Sequence, residues 1–284
     1  MTSPLLITGA SGTIGTALVR ELQARGVDFA AMSSKRGATI GGRPAVPGDF
    51  ADVTSLKTAF AGVHTLFLLF PFTPGSVDLA RNAVEAAKAA GVRHLVRSSG
   101  AGAEAGSPVA IADLQGRIDA LIQNSGLAWT LLRPAGFMQN WVTYSAAAIK
   151  AGHFAAANGD GAVSAVDVRD IAEVAAIVLA NPAPHAGKIY TLTGGEALTT
   201  ARQLDLIGEA VGHPVRYEAI TPEQAEAAMR GWGLPDAQIV LYSSLAYVYR
   251  QGWAAGISPD VQAITGHAPR RFADFAKEHV AAWR

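Results

Sequence analysis

The chain of 284 residues contains no cysteine. That excludes disulfides, thiolate metal sites and a cysteine nucleophile, and it points to a reducing, cytoplasmic compartment. Net charge is missing too: 23 lysines and arginines balance 23 aspartates and glutamates. Long-range attraction to nucleic-acid phosphates or anionic lipid is therefore absent, and neither is expected as a partner. No apolar run approaches the roughly 20 residues of a membrane helix, and a first strand expected from about Pro4 leaves no room for a signal peptide. The seven histidines, at 64, 94, 153, 185, 213, 267 and 279, lack ligand-like clustering, so no metal site is expected. Internal repeats and low-complexity linkers are also lacking.

What is present begins with Leu5-Leu6-Ile7-Thr8-Gly9-Ala10-Ser11-Gly12-Thr13-Ile14-Gly15. An apolar run stops at a glycine-spaced turn and continues with Ile14, Ala17, Leu18 and Leu22 at helical spacing until Gly26. Gly9, Gly12 and Gly15 suit a tight turn, close approach of backbone to a pyrophosphate, and close helix-to-strand packing. The amides of Ser11, Thr13 and Ile14 then face the ligand at the positive end of the helix dipole. A second apolar run, Phe29–Met32, follows at the distance a strand–helix–strand unit requires. The expected guest is a dinucleotide.

The second strand ends in Ser33-Ser34-Lys35-Arg36, where a carboxylate would select a free ribose hydroxyl and where hydroxyls and cations accommodate a 2′-phosphate. NADP(H) is accordingly favoured over NAD(H), against a solvated turn as the alternative. Asp28 lies at the wrong end of that strand. Asp49 and Phe50 are placed to meet the adenine. Leu69, Phe70 and Pro71 end the buried run from Thr65 and belong beside the cofactor, because loops beyond the carboxyl ends of such strands line the ligand crevice. Ser98, placed to bond either the substrate or the nicotinamide amide, Pro134 and Phe137 complete the expected cofactor set.

Further strand–helix alternation runs through Leu79–Gly91, His94–Ser99, a helix opened by Ser107-Pro108, and the strand Trp129–Leu132. The fold class is therefore α/β, a Rossmann-type doubly wound parallel sheet. Residues 1–194 form the expected nucleotide-binding domain, with 151–166 open to either part. Residues 195–284 form a smaller, mainly helical lobe. It includes a capping box at Thr221-Pro222-Glu223-Gln224. Phe72, Phe137, Met138, Asn140, Trp141 and Tyr144 suggest an apolar wall for a flat conjugated substrate. The aromatics read equally well as core, and Asn140 as a helix cap.

Together, Thr8–Gly15, Gly48-Asp49-Phe50, Ala89–His94, Leu131–Asn140 and Asp167–Ala172 resemble the NmrA-like atypical short-chain dehydrogenases, over nearly the whole chain. That family includes triphenylmethane reductases, bacterial quinone oxidoreductases and ergot-alkaloid reductases, and also dinucleotide-binding regulators. The resemblance implies a reductase for a quinone-, dye- or iminium-like acceptor, with a redox sensor without turnover as the alternative; the helical surfaces and aromatics are consistent with a monomer or homodimer. Ser98 matches the strand-end serine of the superfamily. No Tyr-x-x-x-Lys occurs in the sequence. Gln115 occupies the place where relatives often carry histidine or lysine, and an amide delivers no ionisable proton. Ser98 and Gln115 are the catalytic candidates. Asp170 is expected to hold a helix start, with Arg133 pairing to such a carboxylate.

Overall fold

The computed structural model describes residues 4–284. Its seven-stranded sheet contains β1 (Leu5–Ile7), β2 (Ala30–Ser33), β3 (Val46–Pro47), β4 (Thr65–Leu68), β5 (His94–Ser98), β6 (Ala128–Pro134) and β7 (Lys188–Leu192), in the order β7-β6-β5-β4-β1-β2-β3. The pairs from β3 across to β6 are all parallel, with Leu6 opposite both Ala30 and Leu66, and Leu95 opposite both Leu66 and Trp129. Every residue of β1, β4 and β5 is buried. This is why Leu5–Ile7 and Leu66–Leu68 read as unbroken apolar runs rather than as alternating ones, whereas β5 buries His94, Arg97 and Ser98 as well.

The connecting helices are α1 (Thr13–Ala24), α2 (Val53–Ala59), α3 (Ser76–Ala90), α4 (Ala110–Gln123) and α5 (Val168–Ala180). Helix α1 buries Ile14, Leu18, Val19 and Leu22 on one stripe. Helix α3 ends where Gly91 turns left-handed, at φ 75°. Helix α4 starts three residues beyond Ser107. The turn before it is closed instead by Asp113, whose carboxylate accepts from the Gly106 amide at 2.8 Å.

Packing groups the described chain into two units. The first gathers residues up to Pro108, Ala112–Arg133 and Ile171–Thr191. The second gathers Val109–Ile111, Pro134–Asp170 and Leu192–Arg284, and so includes helices α6 (Thr200–Val211), α7 (Pro222–Gly231), α8 (Asp236–Arg250), α9 (Asp260–Thr265) and α10 (Phe272–Glu278). The sequence reading draws its boundary after residue 194, whereas packing draws it after Arg133 and again around α5. The cause is a nonlocal core: Met138, Trp141 and Ile149 pack with Leu204 and Ile207 of α6 and Phe272 and Phe275 of α10. Trp141 Nε1 donates to Gln203 Oε1 at 2.6 Å, and Trp283 Nε1 donates to the Trp141 carbonyl at 3.0 Å. Short ladders join residues 153–156 to 216–219 and residues 162–163 to 198–199.

Candidate functional site

The turn after β1 is shaped by three glycines that do different work. Gly9 has φ +62°, and a Cβ there would stand 2.9 Å from the Leu69 side chain. A Cβ on Gly15 would fall 2.1 Å from the Gly9 carbonyl oxygen, which forces helix α1 close against the turn. A Cβ on Gly12 would meet only that oxygen, at 3.3 Å, and would otherwise enter open space. Gly12 therefore leaves a cradle in front of the backbone. Its amide closes the turn onto the Gly9 carbonyl at 3.0 Å.

Helix α1 has no side-chain cap and no acidic residue in its first turn. By contrast, Asp52 caps α2, Thr199 caps α6 and Thr221 caps α7. The uncapped amides of α1 and its dipole present partial positive charge beside exposed Ser11, Gly12 and Thr13. Ile14 of that turn is buried. The side chain of Thr8 clasps this turn to the end of β4: its hydroxyl donates to the Phe67 carbonyl at 2.9 Å and accepts from the Leu69 amide at 3.0 Å. The sequence alone does not single out Thr8. Its only signal there is a hydroxyl at the end of an otherwise apolar strand.

Ser34, Lys35 and Arg36 are exposed beyond β2, and the Ser33 hydroxyl accepts from the Lys35 amide at 3.1 Å. Neither Lys35 nor Arg36 has an acidic partner among the described residues, whereas Asp28, before the strand, pairs with Arg43 at 3.1 Å. Asp49 is exposed and receives the Ala51 amide. The Phe50 and Phe70 rings lie 4.9 Å apart. Asn82 donates to the Phe50 carbonyl at 2.9 Å. Because the strands are parallel, the turns holding Gly9–Gly15, Ser33–Arg36 and Leu69–Pro71 all leave the same carboxyl edge of the sheet. Pro71 is exposed, and Leu69, Phe70 and Phe72 are half-buried.

At the end of β5, Ser98 is buried and its Oγ has no partner among the described residues. Next to it lies a charged cluster that the sequence reading did not anticipate. Arg97 Nη1 donates to the Asp119 carboxylate, to Ser99 Oγ at 2.9 Å and to the Gln115 carbonyl at 3.0 Å, and Nη2 donates to Gln115 Oε1. Arg133 completes it, with Nε and Nη2 at 3.0 and 2.8 Å from Asp119 Oδ2. This corrects the expectation for Arg133: its partner is the mid-helix Asp119, because β6 runs beside β5 and α4 packs over both. Asp170 pairs instead with Arg270, through the latter's amide and guanidinium. Burial lowers the Arg97 pKa to about 10, opposed by the Asp119 carboxylate, so the guanidinium stays charged at neutral pH. Two cations and one anion leave one excess positive charge.

The residues expected to line the substrate differ in their surroundings. Phe72 belongs to the first unit. Met138 and Trp141 are buried in the core of the second, where the indole packs and Nε1 donates to Gln203, in keeping with the core alternative. Tyr144 is 79% exposed. Phe137 is half-buried and bridges to Val166, Pro134 is buried, and Asn140 is exposed as the first residue of a single helical turn rather than its cap.

A sequence model described as NAD(P)H-binding matches residues 9–182. The chain is 38% identical over 283 residues to NAD(P)H azoreductase of Xenophilus azovorans, covering 98% of this chain and 99% of that one. It is 35% identical to (4-alkanoyl-5-oxo-2,5-dihydrofuran-3-yl)methyl phosphate reductase of Streptomyces griseus, covering 98% and 99%. The crystal structure of the Escherichia coli NADPH-dependent quinone oxidoreductase QOR2 complexed with NADPH superposes with a TM-score of 0.85 at 27% identity, covering 96% and 99%. With a glycine turn of this geometry and relatives that align from end to end, the chain belongs to the NAD(P)H-binding family, as an oxidoreductase with a Rossmann-type fold.

Proposed function

We propose that the chain is an NADPH-dependent reductase that delivers hydride to a small conjugated acceptor of the quinone or azo type. The observation that carries this reading is the cradle at Gly12 beneath the uncapped start of α1, where a pyrophosphate gains backbone donors and a favourable dipole. The residues fit the dinucleotide. Gly9–Gly15 hold the phosphates, Ser33–Arg36 the 2′-phosphate, and Asp49, Phe50 and Leu69–Pro71 the adenosine side. Lys35 and Arg36 support NADPH over NADH, since no acidic group among the described residues neutralises them. When bound, the nicotinamide supplies hydride; the chain's part is to hold the dinucleotide, to orient the acceptor and to exclude water. The reductases and the azoreductase among the relatives support the reaction class.

The test is NADPH absorbance at saturating protein with a panel of quinones and azo dyes, beside direct titration of NADP⁺ and NADPH. Steady oxidation with at least one acceptor is expected. Tight binding of one redox state without oxidation of any acceptor supports a dinucleotide sensor instead.

A further inference from the structure

Gln115 lies early in α4, and its Cγ stands 3.6 Å from where a Cβ on Gly100 would be. The side chain therefore covers the turn just beyond Ser98 and Ser99, at the carboxyl edge of the sheet. Only one orientation of its amide suits its neighbour. A guanidinium has donors and no acceptor, so the amide atom facing Arg97 is the oxygen. The Nε2 amino group is turned away from Arg97, and it donates to nothing among the described residues. Arg97 cannot swing aside: its side chain is 2% exposed and is held by Asp119, itself held by Arg133.

We propose that Gln115 Nε2 donates a hydrogen bond to the oxygen or nitrogen of the acceptor on which negative charge comes to rest, and that Arg97 is the positioning residue that locks the amide. The proposal rests on the reductase reading and narrows it to acceptors that are neutral before reduction. Such an acceptor gains hydride, and with it two electrons, from the dinucleotide, which is oxidised. A new C–H or N–H bond forms, the surplus charge settles on the conjugated oxygen or nitrogen, and water then supplies the proton. A hydrogen bond to that anion is stronger than one to the neutral acceptor, so the donor favours the transition state. The excess positive charge behind it acts in the same direction. A cationic dye or an iminium instead yields a neutral product and gains nothing from either.

Two variants test this. Gln115→Leu removes the donor, and Gln115→Glu keeps an acceptor for Arg97 but also lacks the donor. Both are expected to lose about ten- to hundredfold in kcat with neutral quinones or azo compounds. The loss should grow with the basicity of the reduced anion, while NADPH affinity and turnover of a cationic triphenylmethane dye change less than about twofold. A second readout needs no turnover. A nitrophenol bound to the NADP⁺ complex is titrated by absorbance, and its pKa should lie below the free value in the wild type and rise by about one unit in either variant, a tenfold change. Wild-type turnover with an unchanged kcat and an unchanged phenol titration in both variants overturns this inference alone. So does a wild-type preference for cationic dyes. Failure of the wild type to oxidise NADPH with any acceptor overturns the reductase reading itself.

Discussion

Two single-methyl substitutions in one turn should separate stability from binding. At Gly15 an added Cβ would stand 2.1 Å from the Gly9 carbonyl oxygen and 2.6 Å from the Ala10 Cα, both backbone atoms that cannot turn away. Overpacking of this kind costs about 1–3 kcal/mol, and contacts this short argue for the upper end. The helix propensity of alanine over glycine returns about 1 kcal/mol. A net loss of about 2 kcal/mol lowers Tm by about 4–8 °C for a protein somewhat larger than those on which the scale rests. At Gly12 the sole contact is 3.3 Å and the backbone, at φ −80° and ψ 179°, already suits alanine. Gly12→Ala should therefore cost about 1 kcal/mol or less, the difference between glycine and alanine at a helix N-cap.

Binding should show the reverse order of sensitivity per unit of stability lost. The Gly12 methyl stands in the cradle and displaces an anion from the backbone donors, worth about 1.5–3 kcal/mol for a hydrogen bond to a charged group, or about ten- to hundredfold in Kd. Thermal denaturation and fluorescence titration with NADPH measure the two quantities on the same samples. A Gly12→Ala protein that melts like the wild type and binds NADPH equally well would refute the placement of the pyrophosphate.

Three other perturbations probe separate parts of the first unit. Replacing both Lys35 and Arg36 by alanine should weaken NADPH about ten- to hundredfold, leave NADH nearly unchanged, and flatten the salt dependence of NADPH binding; equal effects on the two nucleotides would defeat the 2′-phosphate assignment. Asp119→Asn leaves Arg97 and Arg133 without their shared anion and should cost about 3–5 kcal/mol, read as a fall in the denaturant midpoint at constant m. His94 is buried, and burial, with His185 nearby, lowers its pKa below 6.5; burial lowers that of His185 as well. The unfolded chain then binds more protons than the native one just below pH 6.5, so stability should be full above that pH and fall as acid approaches the native values. His94→Gln, which keeps a donor for Thr130, should make that decline shallower in pH-dependent melts.

How much of this was legible in the chain depends on how far each constraint reaches. The glycine turn is local: Gly9, Gly12 and Gly15 meet one another within seven residues, so their spacing carries the geometry. The strand Thr65–Leu68 announces itself for the same reason, since burial on both faces leaves an apolar run without alternation. Gln115 could be placed by counting along a helix, but its orientation could not, because Arg97 reaches it only after β5 and α4 pack. The same distance in sequence hid Asp119 as the partner of Arg133. Trp141 is ambiguous in the sequence for a related reason: an aromatic after the last parallel strand fits a ligand wall as well as a core, and the residues that it meets in the core, Gln203 and Trp283, lie 62 and 142 positions away.

The charged cluster also shows why such residues are poor guides to stability and good guides to chemistry. Three ionised groups withdrawn from water cost more than an apolar set of the same volume, even with the bonds that Asp119 makes to both arginines. One of the cations remains uncompensated, and the Nε of Arg97 has no partner among the described residues. A cluster built only to hold α4 against β5 and β6 would need neither the extra charge nor that loose donor, because Leu114, Ile118 and Ile122 already bury the helix face. An arrangement that spends stability to keep a positive charge behind an amide with two free N–H bonds makes sense where negative charge forms in front of it. Replacing Arg97, Asp119 and Arg133 together by Met, Leu and Met should then recover much of the stability lost in Asp119→Asn, yet leave turnover of neutral acceptors as low as in Gln115→Leu. Full activity in that triply substituted protein would show the cluster to be scaffold alone.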